Sequence, residues 1–426
     1  MTDGVDADAD AGAALQRAWR EERAAVLATV ARRLGDLQKA EDAVQEAFAA
    51  AAVRWPAQGV PDRPAAWLTT AAWRKALDAL RADRFPVPAR APDPQDPPEA
   101  AVTDPEPGLD VVAAEDDVLS LILTCCNPAL APEAQVALTL RHVAGLTDRQ
   151  IAARFLVPEA TLTKRLVRAR GKIRDARISF ELPDRTRLEE RLVEVRAVVY
   201  LIFTEGYLAS GDEPSVRADL CDEAIWLARQ LHRLGPDPET TGLLALLLLQ
   251  NARAAARRDA DGHLVPYDEQ DRTLWDADAV EQAKQLLATT GAAPPGPYQL
   301  QAAIALLHAT APTPGQVNWT VIAQLYDALA RVEPSPVVEV NRALAVGRAR
   351  GAQHGLAALR PALDDPRLAA YVPLHAAHAE LLERAGDPAA AAAWERAAAL
   401  AGDPEQRAHL TRRAVRAAPG PAGTTG

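Results

Sequence analysis

The sequence predicts an all-α protein: two small helical domains, the second with a helix-turn-helix, followed by a larger helical extension. Hydrophobic residues make up 49% of the 426 residues and aromatics only 4%. That balance suits Ala-rich, close-packed helices better than sheets, which lean on Val, Ile, Thr and aromatic side chains. Apolar positions recur at helical spacing through three long blocks, with no long alternating segment. Clustered prolines and Gly-Pro or Asp-Pro pairs punctuate those blocks. A chain of this length holds roughly 100–200 residues per domain and so two to four domains.

Residues 1–14, MTDGVDADADAGAA, read as a disordered acidic tail. They lack the basic run ahead of an apolar segment that marks a secretory signal. A helical block spans 15–84. Within it Leu37, Ala40, Val44 and Phe48 make one helical face, while Asp42, Gln45 and Glu46 occupy the opposite one. Carboxylates repel DNA, so that face suits a basic protein partner; taken alone, an ordinary solvated face is the favoured reading. Further on, Trp67, Ala71, Arg74, Asp78 and Arg81 share a stripe, and Trp73, Leu77 and Leu80 form a second that is expected to be core. An aromatic beside arginines can stack on unpaired bases while the cations hold phosphates. A core Trp flanked by surface Arg fits as well.

Residues 85–114 form a Pro-rich linker, with six acidic residues against Arg90 between Phe85 and Asp110. Its prolines favour extended backbone. Helical periodicity resumes over 115–180. There the stretch 145–174, GLTDRQIAARFLVPEATLTKRLVRARGKIR, carries eight Arg or Lys against two acidic residues in a chain of net charge −11. Thr147 and Gln150 have capping-box spacing, Ile151 and Phe155 give a short helix its apolar face, and Pro158 opens a second helix. In that helix Leu162, Leu166, Ala169 and Ile173 fall on one stripe, with Thr161, Lys164 and Arg168 opposite and Arg165 at the margin. This is the pattern of a helix-turn-helix, in which one helix braces and the other offers a basic face to a major groove; by itself the stretch fits a solvated charged face on an ordinary helical hairpin as well.

The third block, 185–417, is helical by pattern, and 418–426 reads as a frayed tail. Leu374, Ala377, His378, Leu381, Ala390, Trp394 and Ala397 have the size spacing of a tetratricopeptide repeat, and Gly351 and Gly386 are separated by close to its period. Trp319, Ile322, Ala323 and Tyr326 match the opening of another repeat. Glu205, Tyr207 and Arg217 are candidates for a ligand pocket, with a turn-and-core role favoured; His375 and His378 have metal-compatible spacing but no third ligand. Three cysteines, Cys125, Cys126 and Cys221, form neither a disulfide framework nor a metal motif. The apolar run GLLALLLLQ is shorter than a bilayer requires. No P-loop or dinucleotide fingerprint is present, so a non-enzymatic, cytoplasmic protein without cofactor, metal or membrane partner is expected.

Taken in order, DAVQEAF, RPAAWL, the linker and GLTDRQIAARFLVPEATLTKRLVRAR resemble the extracytoplasmic-function class of bacterial RNA polymerase sigma factors, of the sigma-70 family. LTCCNPALAPEAQVALTLRHVAGLT and the long extension resemble its subgroup with C-terminal tetratricopeptide-like repeats. The resemblance implies that 15–84 is a region 2 domain and 115–180 a region 4 domain. Asp42, Gln45, Glu46 and Phe48 would then contact the β′ clamp helices of core polymerase, with the β flap a further contact of the factor. Arg63, Trp67, Arg74, Lys75 and Arg81 would meet the melted −10 element. Glu159, Thr161, Thr163, Lys164, Arg165 and Arg168 would enter the −35 major groove. The linker would thread toward the RNA path, with a plain spacer an equal reading, and the extension would serve regulation, with an intramolecular segment or another protein as its partner. Two departures stand out. Arg74 replaces a common Asn and offers only donors, which puts the −10 base preference in doubt; Asn127 stands where the subgroup often has His. Outside the resemblance, a regulator acting without polymerase and a repeat-based adaptor are the competing readings.

Overall fold

The structure, a computed structural model, describes residues 3–84, 114–155, 157–208, 214–235, 237–259, 265, 267–291, 294–402 and 404–418. Nineteen α-helices and no β-strand occur among them. The chain divides into two units, one of residues 1–209 and 213–234, the other of 210–212 and 235–426.

Four helices open the first unit: α1 (Asp3–Glu21), α2 (Arg23–Leu34), α3 (Leu37–Gln58) and α4 (Pro64–Arg84). The helix α1 reaches back to Asp3, in place of the disordered tail expected over 1–14. Alternating Ala residues supply helix propensity there, and acidic residues near an N-terminus favour the helix dipole. Gly35 ends α2 at φ +66°, a left-handed position that favours glycine, and Asp36 caps α3 by accepting from the amides of Gln38 and Lys39. The buried face of α4 is Leu68, Ala72 and Ala76. Trp73, Leu77 and Leu80, expected as core, are only half-buried. Small alanines let α4 lie close to α2 and α3, and that rotates the larger side chains to the margin. The linker expectation over 85–113 and the tail over 419–426 lie outside the described residues.

The remainder of this unit is α5 (Ala114–Cys125), α6 (Pro132–His142), α7 (Asp148–Arg154), α8 (Glu159–Asp175), α9 (Arg185–Leu208) and α10 (Pro214–Leu234). Every residue from Leu119 to Cys125 is buried, as is Cys126. A helix buried around its whole circumference is enclosed on all sides, and α5 is: α2, α6, α9 and α10 all pack on it, while its buried Thr124 donates to the Ser120 carbonyl. The blocks before and after the linker therefore share one unit, and the first two helices of the extension belong to it as well.

In the second unit α11 (Pro238–Asn251) packs on α12 (Ala277–Ala288) and α13 (Pro297–Thr310). Gly242 permits the close approach of α13, since a Cβ there would lie 2.6 Å from the Gln299 amide nitrogen. From α11, Glu239 caps α13 by accepting from the amides of Tyr298 (3.0 Å) and Gln299 (3.2 Å). Then α14 (Trp319–Val332), α15 (Pro336–Arg350), α16 (Ala352–Leu363), α17 (Val372–Ala385), α18 (Ala390–Leu400) and α19 (Pro404–Ala417) each pack on the next. Gly351 and Gly386, at positive φ, end α15 and α17. Trp394 is buried between α17 and α19, donating to Glu383 (2.9 Å) beneath the Arg413 guanidinium.

Candidate polymerase and nucleic-acid interface

On α3 the two-faced pattern is realised. Asp42, Gln45 and Glu46 are exposed, and Gln38 donates to Asp42 (2.8 Å). Phe48, grouped with them as a contact, is instead buried, its ring edge-on to Trp19 at 4.9 Å. It lies two helical turns beyond Ala40 on the apolar stripe, so it anchors α3 to α1.

Glu41, the first residue of the stretch 41–48 that the resemblance assigns to polymerase contact, instead ties helices of this unit together. Glu41 is 1% exposed, one position from the solvated face yet on the stripe of Leu37, Val44 and Phe48. A charge on an apolar stripe was the available signal. Its carboxylate sits 2.7 Å from Arg141 on α6, 3.1 Å from Arg170 on α8 and 3.6 Å from Arg23 on α2. The Nδ1 of His142 is 3.6 Å away. Burial first, then Arg23, Arg170 and Arg141, push the His142 pKa well down, so its imidazole is neutral. Burial also draws the Arg23 pKa down to about 10 while Glu41 opposes this, and Arg23 keeps its charge at neutral pH. One carboxylate thus meets cations from three helices, and Arg141 also pairs with Asp148 at 3.2 Å, so the cluster keeps an excess of positive charge.

Arg63, just before α4, and Arg81 on it are exposed, while Arg74 and Lys75 of α4 are half-buried. Arg81 pairs with Asp78 (3.3 Å). Trp67 lies half-buried, edge-on to Trp55 at 5.9 Å, so its ring is shared between packing and surface. The ammonium of Lys75 is 3.8 Å from Glu46, which brings the candidate −10 surface and the candidate polymerase surface side by side.

The capping box forms at α7: Gln150 N–H donates to Thr147 Oγ1 (3.2 Å) and Thr147 N–H to Gln150 Oε1 (2.9 Å). On α8 the stripe Leu162, Leu166, Ala169 and Ile173 is buried. Glu159, Thr161, Lys164 and Arg168 are exposed and Arg165 half-buried. Thr163 is exposed but donates to Asp148 (3.0 Å), which ties α8 to α7 and commits that hydroxyl. Beside the basic face runs a groove of about 460 Å³ lined by Thr161, Lys164, Arg168 and Lys172 of α8 and by Leu130 and Ala134. Lys172 donates to the Ala129 carbonyl. Arg170 points the other way, to Glu41.

In the extension, Glu205 is exposed and Tyr207 stacks on Phe203 at 5.4 Å; the side chain of Arg217 is outside the described residues. His375 Nε2 bonds the Ala369 carbonyl (2.9 Å). Among the described residues no helix is long and apolar enough to cross a membrane, and no group of three or more His, Cys, Asp or Glu could hold a metal ion.

Three family descriptions match the chain: Sigma-70 region 2 over residues 18–85, Sigma-70 region 4 over 120–173, and a family of unknown function (DUF6596) over 191–291. The chain is 42% identical over 385 residues to an uncharacterised protein of Rhizobium meliloti (strain 1021), covering 88% of this chain and 89% of that protein. It is 35% identical over 164 residues to the ECF RNA polymerase sigma factor SigL of Mycobacterium tuberculosis, covering 38% of this chain and 88% of SigL. A probable ECF RNA polymerase sigma factor of that species, SigI, is 32% identical over 167 residues, 38% of this chain and 55% of SigI. No solved structure matches the chain.

Proposed function

Since the chain belongs to the extracytoplasmic-function RNA polymerase sigma factors, we propose that it directs core polymerase to a specific set of promoters. It acts by binding in the cytoplasm, not by catalysis. The observation that carries this reading is α8, whose apolar stripe is buried while Thr161, Lys164 and Arg168 stay exposed on one face. That arrangement suits a −35 major groove, where Arg and Lys reach phosphates or guanine edges and Thr a thymine methyl.

Asp42, Gln45 and Glu46 offer an acidic face to basic polymerase elements. Arg63, Trp67, Arg74, Lys75 and Arg81 surround the place for a melted −10 strand, where unstacking a base costs a few kcal/mol that binding must offset. With a net charge of −11, the chain has little non-specific affinity for DNA by itself and relies on polymerase for most of its hold. Successive helix pairs from α14 to α19 resemble tetratricopeptide repeats, which build surfaces for peptides, and the second unit fits a regulatory role.

The test is run-off transcription with core polymerase, the full chain and genomic fragments. New start sites should appear, and Lys164→Ala with Arg168→Ala should remove them. Operator binding by the chain alone, with no polymerase-dependent start sites, would replace this reading with that of a free-standing regulator.

A further inference from the structure

The buried stripe of α8 settles which side of the helix faces inward, but it does not settle the roll. Leu162, Leu166, Ala169 and Ile173 are all apolar, and apolar contact has no preferred direction. At 100° per residue, Thr163 stands about 90° to one side of that stripe and Lys172 about 90° to the other. Both are tethered. Thr163 Oγ1 donates to Asp148 Oδ2 on α7 at 3.0 Å, and Lys172 donates to the Ala129 carbonyl just ahead of α6. Two directional bonds on opposite flanks hold α8 against rotation about its own axis.

Asp148 is itself held in place. Its Oδ1 lies 3.2 Å from Arg141 Nε, and Arg141 Nη1 donates to the Leu146 carbonyl at 3.1 Å. From the first turn of α7, where the helix dipole favours a negative charge, the carboxylate divides its two oxygens between α6 and α8. Lys164 and Arg168 project from the side of α8 opposite the stripe. A helix with its side chains has a radius of about 5–6 Å, so a roll of about 20° carries their ends by about 2 Å. A hydrogen bond to a base edge tolerates only about 0.5 Å in donor–acceptor distance. Such a roll therefore takes a donor off its base edge, while phosphate contacts, which carry no sequence information, adapt to it.

We propose that Asp148 is a positioning residue for −35 recognition: through Thr163 it sets the roll of α8, and so decides which base edges Lys164 and Arg168 read. This rests on the sigma factor reading. Asp148 itself touches no DNA in this role. The Thr163 hydroxyl, expected from the sequence to enter the groove, serves recognition by aiming its neighbours instead.

The test is run-off transcription by the full chain with core polymerase, on templates built from a start site found with genomic fragments and changed one −35 position at a time. The unchanged chain should discriminate against single substitutions by about 5- to 150-fold. Thr163→Val keeps the shape and loses the donor, while Asp148→Ala loses the acceptor. Each should lower that discrimination by about fivefold or more, at the same positions, with capture of core polymerase unchanged. The double variant should be no worse than either single one, because both remove the same interaction. Thr163→Ser, which keeps the donor, should show the pattern of the unchanged chain. A merely structural role lowers initiation on all templates together, in step with the urea midpoint, and leaves their ratios alone; that result overturns the proposal. So does a changed pattern in Thr163→Val that Asp148→Ala does not share, since Thr163 then meets a base directly. If the unchanged chain initiates on no fragment at all, the sigma factor reading itself falls, whatever the variants do.

Discussion

Phe48 and its neighbours on α3 make opposite demands on the protein. Truncation of Phe48 to Ala leaves a hole against Trp19 and should cost about 3–5 kcal/mol, seen as a lower urea midpoint, with polymerase affinity falling only as far as folding does. Asp42→Lys with Glu46→Lys should leave the midpoint nearly unchanged, since both side chains are exposed, and should weaken core polymerase binding at least about tenfold. His142 makes stability depend on pH. Its folded pKa is pushed well below the ordinary value of about 6.5, so below that value the unfolded chain takes up a proton that the folded chain refuses. Stability contributed this way is complete above pH 7 and is lost as pH falls through 6.5, at up to about 1.4 kcal/mol per pH unit. His142→Gln should flatten that part of the profile between pH 7 and 5 in urea titrations, whatever it does to the absolute midpoint. At this scale the sequence was a partial guide. Periodicity separated Asp42, Gln45 and Glu46 from the core correctly. The same periodicity carried Glu41 and Phe48 on the buried stripe, but Glu41 is held by Arg141 and Arg170, a hundred or more positions away, and no local pattern announces such partners.

Helices were the most legible level. The Thr147–Gln150 box and the α8 stripe formed where local spacing put them, because both depend only on residues within two turns. The spacing of Gly351 and Gly386 likewise marks the ends of α15 and α17, one helix pair apart. For α4 the pattern misled: the core was read on Trp73, Leu77 and Leu80, whereas a row not singled out in the sequence, Leu68, Ala72 and Ala76, is the buried one, and its small residues suit close helix packing. The same physics governs α15 and α16. A Cβ on Gly355 would lie 2.7 Å from the Gly347 Cα and 2.9 Å from the Ala343 carbonyl oxygen, so backbone, not a movable side chain, blocks it. Gly355→Ala should therefore destabilise the second unit by about 1–3 kcal/mol. Gly347→Ala meets mainly the end of Leu381, a flexible side chain, and should cost less. Thermal unfolding of the two variants side by side checks the order.

Over the whole molecule, the composition predicted helices but not where one body ends. The sequence places a boundary near residue 185, where the extension resumes helical periodicity after a short break. The unit boundary instead falls at 234–235, because α9 and α10 cover α5. The buried row Val195, Val198, Val199, Ile202 and Phe203 of α9, together with the Arg191 guanidinium that donates to the Leu123 carbonyl at 2.5 Å, has its partners in this first unit. That difference separates two truncations. A chain of residues 1–234 keeps the first unit intact, and should unfold in one cooperative transition and still bind core polymerase. A chain of residues 1–184 uncovers α5, leaving apolar surface on Leu119, Ile122 and Leu123 exposed to water. It should unfold at a distinctly lower urea midpoint, and should aggregate or bind a hydrophobic dye before unfolding. Equal midpoints for the two chains would mean that α9 and α10 are passengers on the first unit. A lower midpoint confined to the shorter chain would make them its outer wall, so that effects of deleting the extension divide into loss of a wall and loss of a regulator.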